Sequence, residues 1–231
     1  MDTTIPELAL NATPAEILRA GLETAQGPVS LACSFSLEDV AIIDIAQEAG
    51  LVLGVFAIDT GRLNEETYEV AEALTERYRI KIDWYFPRHE AVEKLEREKG
   101  LFSFRESLDN RHECCHIRKV EPLTRALEGL KGWVTGMRRD QSVTRADLKA
   151  MELDETNGGL LKINPLIDWS EQQLNDYAKE HNLPTNRLYK HGYRSIGCAP
   201  CTRAIGAWDH PRKGRWWWES AENKECGLHR R

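Results

Sequence analysis

Apolar positions recur at two spacings along this chain. Short, nearly continuous apolar runs at Val29-Ser30-Leu31-Ala32-Cys33, Leu51 to Ile58, Lys81 to Phe86, Trp133-Val134-Thr135-Gly136-Met137 and Leu160-Leu161-Lys162-Ile163 read as buried strands. Between them the spacing turns helical. Thr13-Pro14-Ala15-Glu16 announces the first helix, with Thr13 as N-cap, Pro14 at the first position and Glu16 closing a capping box, and Gly27-Pro28 ends that region. Ser36 and Asp39 form a second box before an apolar helix through Ile42, Ile43 and Ile45 that stops near Gly50. Asn64 opens an acidic helix to about Arg79, and helical spacing returns at Ala91, Val92 and Leu95 and again from Glu113 to Leu130, where Pro122 is expected to kink or split the helix. Ser170 and Gln173 form a third box, stapled by Trp169 and Leu174, and that helix ends before Pro184. Past Lys190 the regular pattern fails. The alternation predicts an α/β fold with a mainly parallel sheet flanked by helices over residues 1–190, and a C-terminal segment, 191–231, laid over it as a tail.

Composition narrows the function classes. The 231 residues suffice for one substantial core, and the net charge of −6 argues against a general nucleic-acid binder. No apolar run approaches the roughly 20 residues that span a bilayer. Met1-Asp2-Thr3-Thr4 is acidic with no apolar stretch behind it, which reads as no secretory signal. Six cysteines in such a chain point to metal ligation or redox catalysis in a reducing cytoplasm rather than to disulfides.

In open α/β sheets ligands bind beyond the carboxyl ends of strands, and three loops lie there. Ser34-Phe35-Ser36-Leu37-Glu38-Asp39 follows the first strand and opens a helix, so its amides and hydroxyls can hold an anion. It lacks the glycines and lysine of a Walker loop, and Glu38 and Asp39 would repel a highly charged phosphate if they pointed into the site. Asp59-Thr60-Gly61 follows the second strand, where a carboxylate commonly accepts a ribose hydroxyl; an acidic turn fits equally. Gly136 to Arg145 brings Arg138, Arg139, Arg145 and Gln141 directly after a strand, a set suited to phosphate or sulfate oxygens. The tail adds Arg203 and Arg212-Lys213-Gly214-Arg215 before Trp216-Trp217-Trp218, three rings that cannot all face one way.

Cys114-Cys115 and Cys198-Ala199-Pro200-Cys201 together offer four thiols, the set required by a cubane iron–sulfur cluster or a structural zinc. Zinc sites draw on spaced knuckles, which an adjacent pair fits poorly; a cubane has four irons, each needing a thiolate. Cys198-x-x-Cys201 also has the form of a thioredoxin-like dithiol, yet almost no regular structure follows it, as that motif would want. Lys119, four residues after Cys115, shares its helix face and can offset a cluster's charge. Cys33 reads as an inert buried thiol. Cys226, with Lys224, His229, Arg230 and Arg231 nearby, is either a candidate nucleophile or an idle surface thiol.

Taken together these motifs, with Gly214-Arg215-Trp216-Trp217-Trp218-Glu219 and Glu225-Cys226-Gly227-Leu228-His229, resemble the assimilatory adenylylsulfate (APS) reductases, which are related to the phosphoadenylylsulfate (PAPS) reductases. The resemblance covers nearly the whole chain, and the two cysteine pairs with the terminal motif are its most specific part. It implies a fold similar to adenine-nucleotide hydrolases with a modified pyrophosphate loop. It also implies one 4Fe–4S cluster on Cys114, Cys115, Cys198 and Cys201, with Cys226 as nucleophile and thioredoxin or glutaredoxin as donor. In the roles it suggests, Ser34, Phe35 and Ser36 hold the nucleotide, and Asp59, Thr60 and Gly61 line its ribose–adenine side. Arg138, Arg145, Arg212 and Arg215 neutralise the phosphosulfate, Lys119 links cluster and substrate, and His229 assists the thiolate or docks the tail. PAPS reductases without the cluster lack the four cysteines, so the set points toward APS, although some cluster-bearing bacterial members accept both nucleotides. A nucleotide-binding iron–sulfur redox sensor, or a ligase or sulfurtransferase with a related loop, are the readings from other classes. The sequence leaves the oligomeric state, homo-oligomer included, open.

Overall fold

The computed structural model describes residues 5–9, 11–141, 145 and 147–220. Its centre is a six-stranded sheet made of β1 (Val29–Cys33), β2 (Gly54–Ile58), β3 (Ile82–Tyr85), β4 (Gly132–Val134), β5 (Met151–Asp154) and β6 (Leu160–Ile163), in the order β3-β2-β1-β4-β6-β5. β1 runs parallel to β4, with Val29 opposite Gly132, and β4 parallel to β6, with Gly132 opposite Leu161. The expected α/β class with a mainly parallel sheet is what forms. β5, which the periodicity does not announce, adds an antiparallel edge through Met151 opposite Ile163.

The helices are α1 (Pro14–Ala25), α2 (Leu37–Glu48), α3 (Glu65–Tyr78), α4 (His89–Lys99), α5 (Leu108–Cys115), α6 (Glu121–Leu127) and α7 (Glu171–Glu180). Their starts follow local chemistry. The Thr13 backbone N–H and hydroxyl donate to Glu16 Oε2 at 2.7 and 2.8 Å, while Glu16 N–H donates back to Thr13 Oγ1 at 3.3 Å. Ser170 and Gln173 make the same exchange at 2.9 and 3.1 Å. One expectation is corrected: the strand expected from Leu51 begins at Gly54, with Val52 exposed to solvent. The helix that Pro122 was expected to kink or split is divided just before it: a π-helical turn over His116–Val120 separates α5 from α6, and Pro122 sits in the first turn of α6, where its missing N–H is not needed.

The chain forms two compact units. The first takes in the described parts of Met1–Phe56, Glu69–Asp83 and Gly129–Asn186. In it α2 is buried from Asp39 to Ala46 on all sides, and a Cβ on Gly21 would meet Ile163 Cδ1 at 2.5 Å, so the glycine lets α1 lie directly on β6. Asp44, buried in α2, accepts hydrogen bonds from Tyr78 Oη and Tyr177 Oη at 2.7 and 2.8 Å and pairs with His181 Nδ1 at 2.9 Å, tying α2, α3 and α7 together. The second unit takes in the described parts of Ala57–Tyr68, Trp84–Glu128 and Arg187–Arg231. Its core joins Leu95, Phe104 and Cys114, with Ile117, Cys201 and Trp218 packed against them. From Arg187 onward the described residues form short 3-10 turns and one isolated antiparallel bridge, Thr202 to Arg215, with no longer helix or strand, as the failing periodicity anticipated. No described helix is long and apolar enough to cross a membrane.

Candidate functional site

The second unit builds a cavity around four thiols. Ser107 caps α5 by accepting from Asn110 N–H at 3.1 Å, and the helix ends on Cys114 and Cys115, both buried. On a regular helix adjacent residues diverge by about 100°. Here the π-helical turn begins at the very next residue, and both cysteines line the same cavity as Cys198 and Cys201. The Cys198 turn is fixed from several directions. Ala199 N–H donates to Arg62 O at 2.8 Å, Trp216 N–H to Cys201 O at 3.0 Å, and Arg105 Nη2 to Pro200 O at 3.0 Å. Gly197 is required: a Cβ there would fall 2.4 Å from Arg215 Nη2.

Cations surround the thiols. Arg62, Arg111, Arg118 and Lys119 line the cavity, with Phe104 and Trp216 closing it. Arg62 and Arg118 share Glu96 Oε1 at 2.8 and 2.5 Å, and Arg118 Nη1 also donates to Thr60 O at 2.7 Å. Arg111 pairs with Glu219 at 2.6 Å in the interior, and Arg111 and Arg215 both lie over the Trp216 ring, at 4.6 and 4.7 Å from its centroid. Three of these guanidinium donors, Arg62 Nη1, Arg118 Nε and Arg215 Nε, are buried without a hydrogen-bond partner. Such donors are rare in folded chains and mark a place where an acceptor belongs. Two of the thiols are pushed toward the protonated form. Burial pushes Cys201 up to about 12, with Cys198 and Cys115 adding to the rise against Lys119 and Arg215. Cys114 is raised by burial, against Arg118 and Arg62. As thiolates they need positive charge closer than these side chains supply, which is what a metal provides.

The first unit holds the other anion loop. Ser34 N–H and Oγ both donate to Asp39 Oδ2 at 2.7 Å, and Ser36 N–H approaches the same oxygen at 3.4 Å. Burial raises Asp39 to about 6 in spite of the Ser34 hydrogen bonds, and Glu38 adds to the rise. Glu38 is neutralised: its Oε1 accepts from Arg138 Nε and Nη2 at 3.1 and 3.0 Å and from Gln141 Nε2 at 2.8 Å. Arg145 donates to Gln141 Oε1 and so joins this network.

Residues 28–204 match the phosphoadenosine phosphosulfate reductase domain. The chain belongs to this reductase family. It is 46% identical to the adenosine 5'-phosphosulfate reductase of Burkholderia cepacia over 224 residues, 97% of this chain and 89% of that one. It is 44% identical to the chloroplastic 5'-adenylylsulfate reductase 1 of Arabidopsis thaliana, over 95% of this chain and 48% of the plant protein. Among solved structures, the PAPS reductase of Candida auris in a phosphate complex superposes with a TM-score of 0.71 at 26% identity, over 87% of this chain and all of that one. A Candida glabrata FMN adenylyltransferase shares the fold alone, at a TM-score of 0.55 and 16% identity.

Within this family member the expected site residues separate by unit. Ser34, Phe35, Ser36, Arg138 and Arg145 gather in the first; Asp59, Thr60, Gly61, Lys119, Arg212, Arg215 and the four cysteines gather in the second. Two of these placements carry contacts that the sequence did not suggest. The Thr60 hydroxyl contacts Cys198 Sγ at 3.3 Å, and Asp59 accepts from Gly61 N–H and Tyr68 Oη at 2.7 and 2.8 Å, so this loop shapes the cysteine cavity. Arg138 is held by Glu38 and by Trp169 O at 3.1 Å, which makes it a strut of its loop. Arg212 lies over Trp216 at 5.9 Å. Cys226 and His229 lie outside the described residues. Sequence reasoning gave no role to Arg62, Glu96, Arg111, Arg118 or Glu219. Arg62 and Arg118 had a local signal, adjoining Asp59-Thr60-Gly61 and Lys119, and Glu219 closes the motif that begins at Gly214; Glu96 had none.

Proposed function

We propose that this enzyme reduces APS to sulfite and AMP in sulfate assimilation, with Cys226 as nucleophile and thioredoxin, or glutaredoxin, as the thiol donor. The observation that carries the reading is the cavity lined by four thiols and ringed by cations, in a chain of this family whose near relatives bear the APS reductase name. Five of the six cysteines are free thiols, which suits a reducing cytoplasm.

The thiols favour a 4Fe–4S cluster over a single zinc. Sulfurs on one tetrahedral zinc stand about 3.8 Å apart. Among the described residues the only trio of ligand atoms within 4.8 Å of one another is Asp44, Glu48 and His181, so the four sulfurs are spread more widely, as ligands of four separate irons are. The orphaned Arg62 and Arg118 donors are suited to the sulfur atoms of such a group. When bound, the cluster would fix the α5 end to the Cys198 turn and set the local charge.

The chemistry belongs to the protein's thiols and cations. Cys226 thiolate attacks the sulfuryl sulfur, the sulfur–oxygen bond to AMP breaks, and AMP leaves with its electron pair. A partner thiolate then attacks Cys226 Sγ, sulfite departs with the bonding pair, and the partner's second thiol resolves the mixed disulfide. The two electrons come from that dithiol. Lys119 and Arg215 would stabilise charge on the sulfuryl side, while Ser34, Phe35 and Ser36 would hold the nucleotide. Sulfite release from APS, set against PAPS with thioredoxin supplied, tests the reading: preferred turnover of PAPS would move the substrate, and no sulfite from either would end it. Cys226→Ser should keep acid-labile sulfide and iron yet form no sulfonated adduct; unimpaired turnover would remove the nucleophile.

A further inference from the structure

The second unit holds a tryptophan out to solvent on a fixed turn. Trp208 is 100% exposed, more than any other large apolar side chain among the described residues. The turn beneath it is tied down. Asp209 Oδ2 accepts from Gly206 N–H at 3.0 Å, Asp209 N–H donates to Gly206 O at 3.1 Å, and Arg194 Nη1 donates to Asp209 O at 3.0 Å. A ring presented from such a frame loses little freedom when it is covered, as an aromatic anchor at an interface does. The neighbouring residues are basic. Asp209 is the single acidic residue between Arg187 and Arg215, in a chain of net charge −6, and Lys213 Nζ pairs with it at 2.6 Å. Lys190, Arg203 and Lys213 are exposed, and Ile205 N–H donates to Gly192 O at 3.0 Å, which brings the Lys190 turn beside the segment leading to Trp208. The same surface adjoins the way into the tail. Arg203 N–H donates to Gly214 O at 3.1 Å, and its guanidinium lies over the Trp217 ring at 5.2 Å. Ser220 follows three residues after Trp217, and Cys226 six residues after that.

We infer that Trp208, with Lys190 and the exposed cations beside it, is the docking surface for the protein dithiol donor, whose contacting face is apolar at its centre and acidic at its rim. The inference rests on the proposed role of Cys226. In that reading the donor's thiolate displaces sulfite from Cys226 Sγ, and its second thiol frees Cys226 as the donor disulfide closes. The exchange itself needs only sulfurs in line, so affinity and orientation come from contacts elsewhere on the two proteins. Chain length limits where those contacts lie. Six residues reach at most about 20 Å, so the donor must meet Cys226 within that distance of Ser220, and the surface joined to Trp217 through Arg203 is beside it. Charge fixes the kind of partner. A basic patch on an otherwise acidic chain draws an acidic face toward itself and orients it before contact.

The test separates docking from chemistry. Cluster-loaded protein is first reacted with APS to form the Cys226 thiosulfonate, and sulfite release is then followed on mixing with thioredoxin or with dithiothreitol; glutaredoxin takes thioredoxin's place if it discharges the parent faster. Trp208→Ala should slow release by the protein donor about tenfold, as loss of a central tryptophan anchor does, and leave release by dithiothreitol unchanged. Lys190→Glu should slow it severalfold at low salt, with the difference shrinking as ionic strength rises. An unchanged rate with the protein donor in Trp208→Ala overturns the inference and leaves the proposed function intact. An equal loss with both reductants also overturns it, since the turn would then seat the chain's own tail. So does a dimer that Trp208→Ala breaks while the donor rate holds, which would give the surface to a second copy. A parent protein that forms no adduct removes the proposed function, and the inference with it.

Discussion

Around the cysteine pairs, three arginines and a lysine line a cavity with four thiols, and two of those arginines, Arg62 and Arg118, keep an unpartnered donor; around Asp39, three donors close on a carboxylate that the chain itself supplies. The first arrangement is unfinished as protein and calls for a group from outside that offers acceptors to those donors. In the second the chain supplies the acceptor itself. Both gather donors, and the contrast lies in where the acceptor comes from. A loop's donors therefore say little about ligand binding until the acceptor that satisfies them is identified.

The largest expected effect tests the unfinished side. Cys201→Ser should lose iron and reduce activity about a hundredfold or more, measured by iron content and sulfite release; full activity in an iron-free variant would make the cavity structural. Next is the Arg111–Glu219 pair, where Arg111 is 1% exposed. Arg111→Ala strands a buried carboxylate and should destabilise by about 3–5 kcal/mol in denaturant unfolding, with Arg111→Met together with Glu219→Leu recovering much of it. Equal losses in the single and double variants would deny the pair its role.

The smallest effect tests the complete side. Burial raises Asp39 to about 6, above its unfolded value of 3.8, so the folded chain binds the proton more tightly than the unfolded one. Stability from this group is therefore greatest below about pH 4, falls as pH rises through the window from 4 to 6, and stays low above it; the full change is roughly 3 kcal/mol. Relative to Asp39→Asn, the parent should lose stability across that window. A difference between the two that is flat with pH would show that the carboxylate is compensated in some other way.

Local chemistry was readable in advance and remote pairing was not. The boxes at Thr13–Glu16 and Ser170–Gln173 span three residues, and they form as the sequence implies. The cysteine pairs were legible as a four-thiol set because thiols are rare and their spacing is odd. Arg138 was read as an anion ligand because three arginines follow a strand; its partner Glu38 lies 100 residues earlier, beyond any local pattern. Asp59-Thr60-Gly61 was read toward ribose because a carboxylate follows the second strand; the contact of the Thr60 hydroxyl with Cys198, across 138 residues, had no local sign. The π-helical turn at His116–Val120 left no periodic trace, since a single widened turn shifts helical spacing by less than the pattern can resolve.

The cysteine cavity is assembled from pieces far apart in chain order: Arg62 from the loop after β2, Cys114 to Lys119 from the α5 end, and Cys198, Cys201 and Trp216 from the far C-terminal stretch. On the ribosome, then, no length of nascent chain that stops short of Trp216 can contain it. Until that stretch is made, Cys114 and Cys115 stand at a helix end without the Cys198, Cys201 and Trp216 side of the cavity.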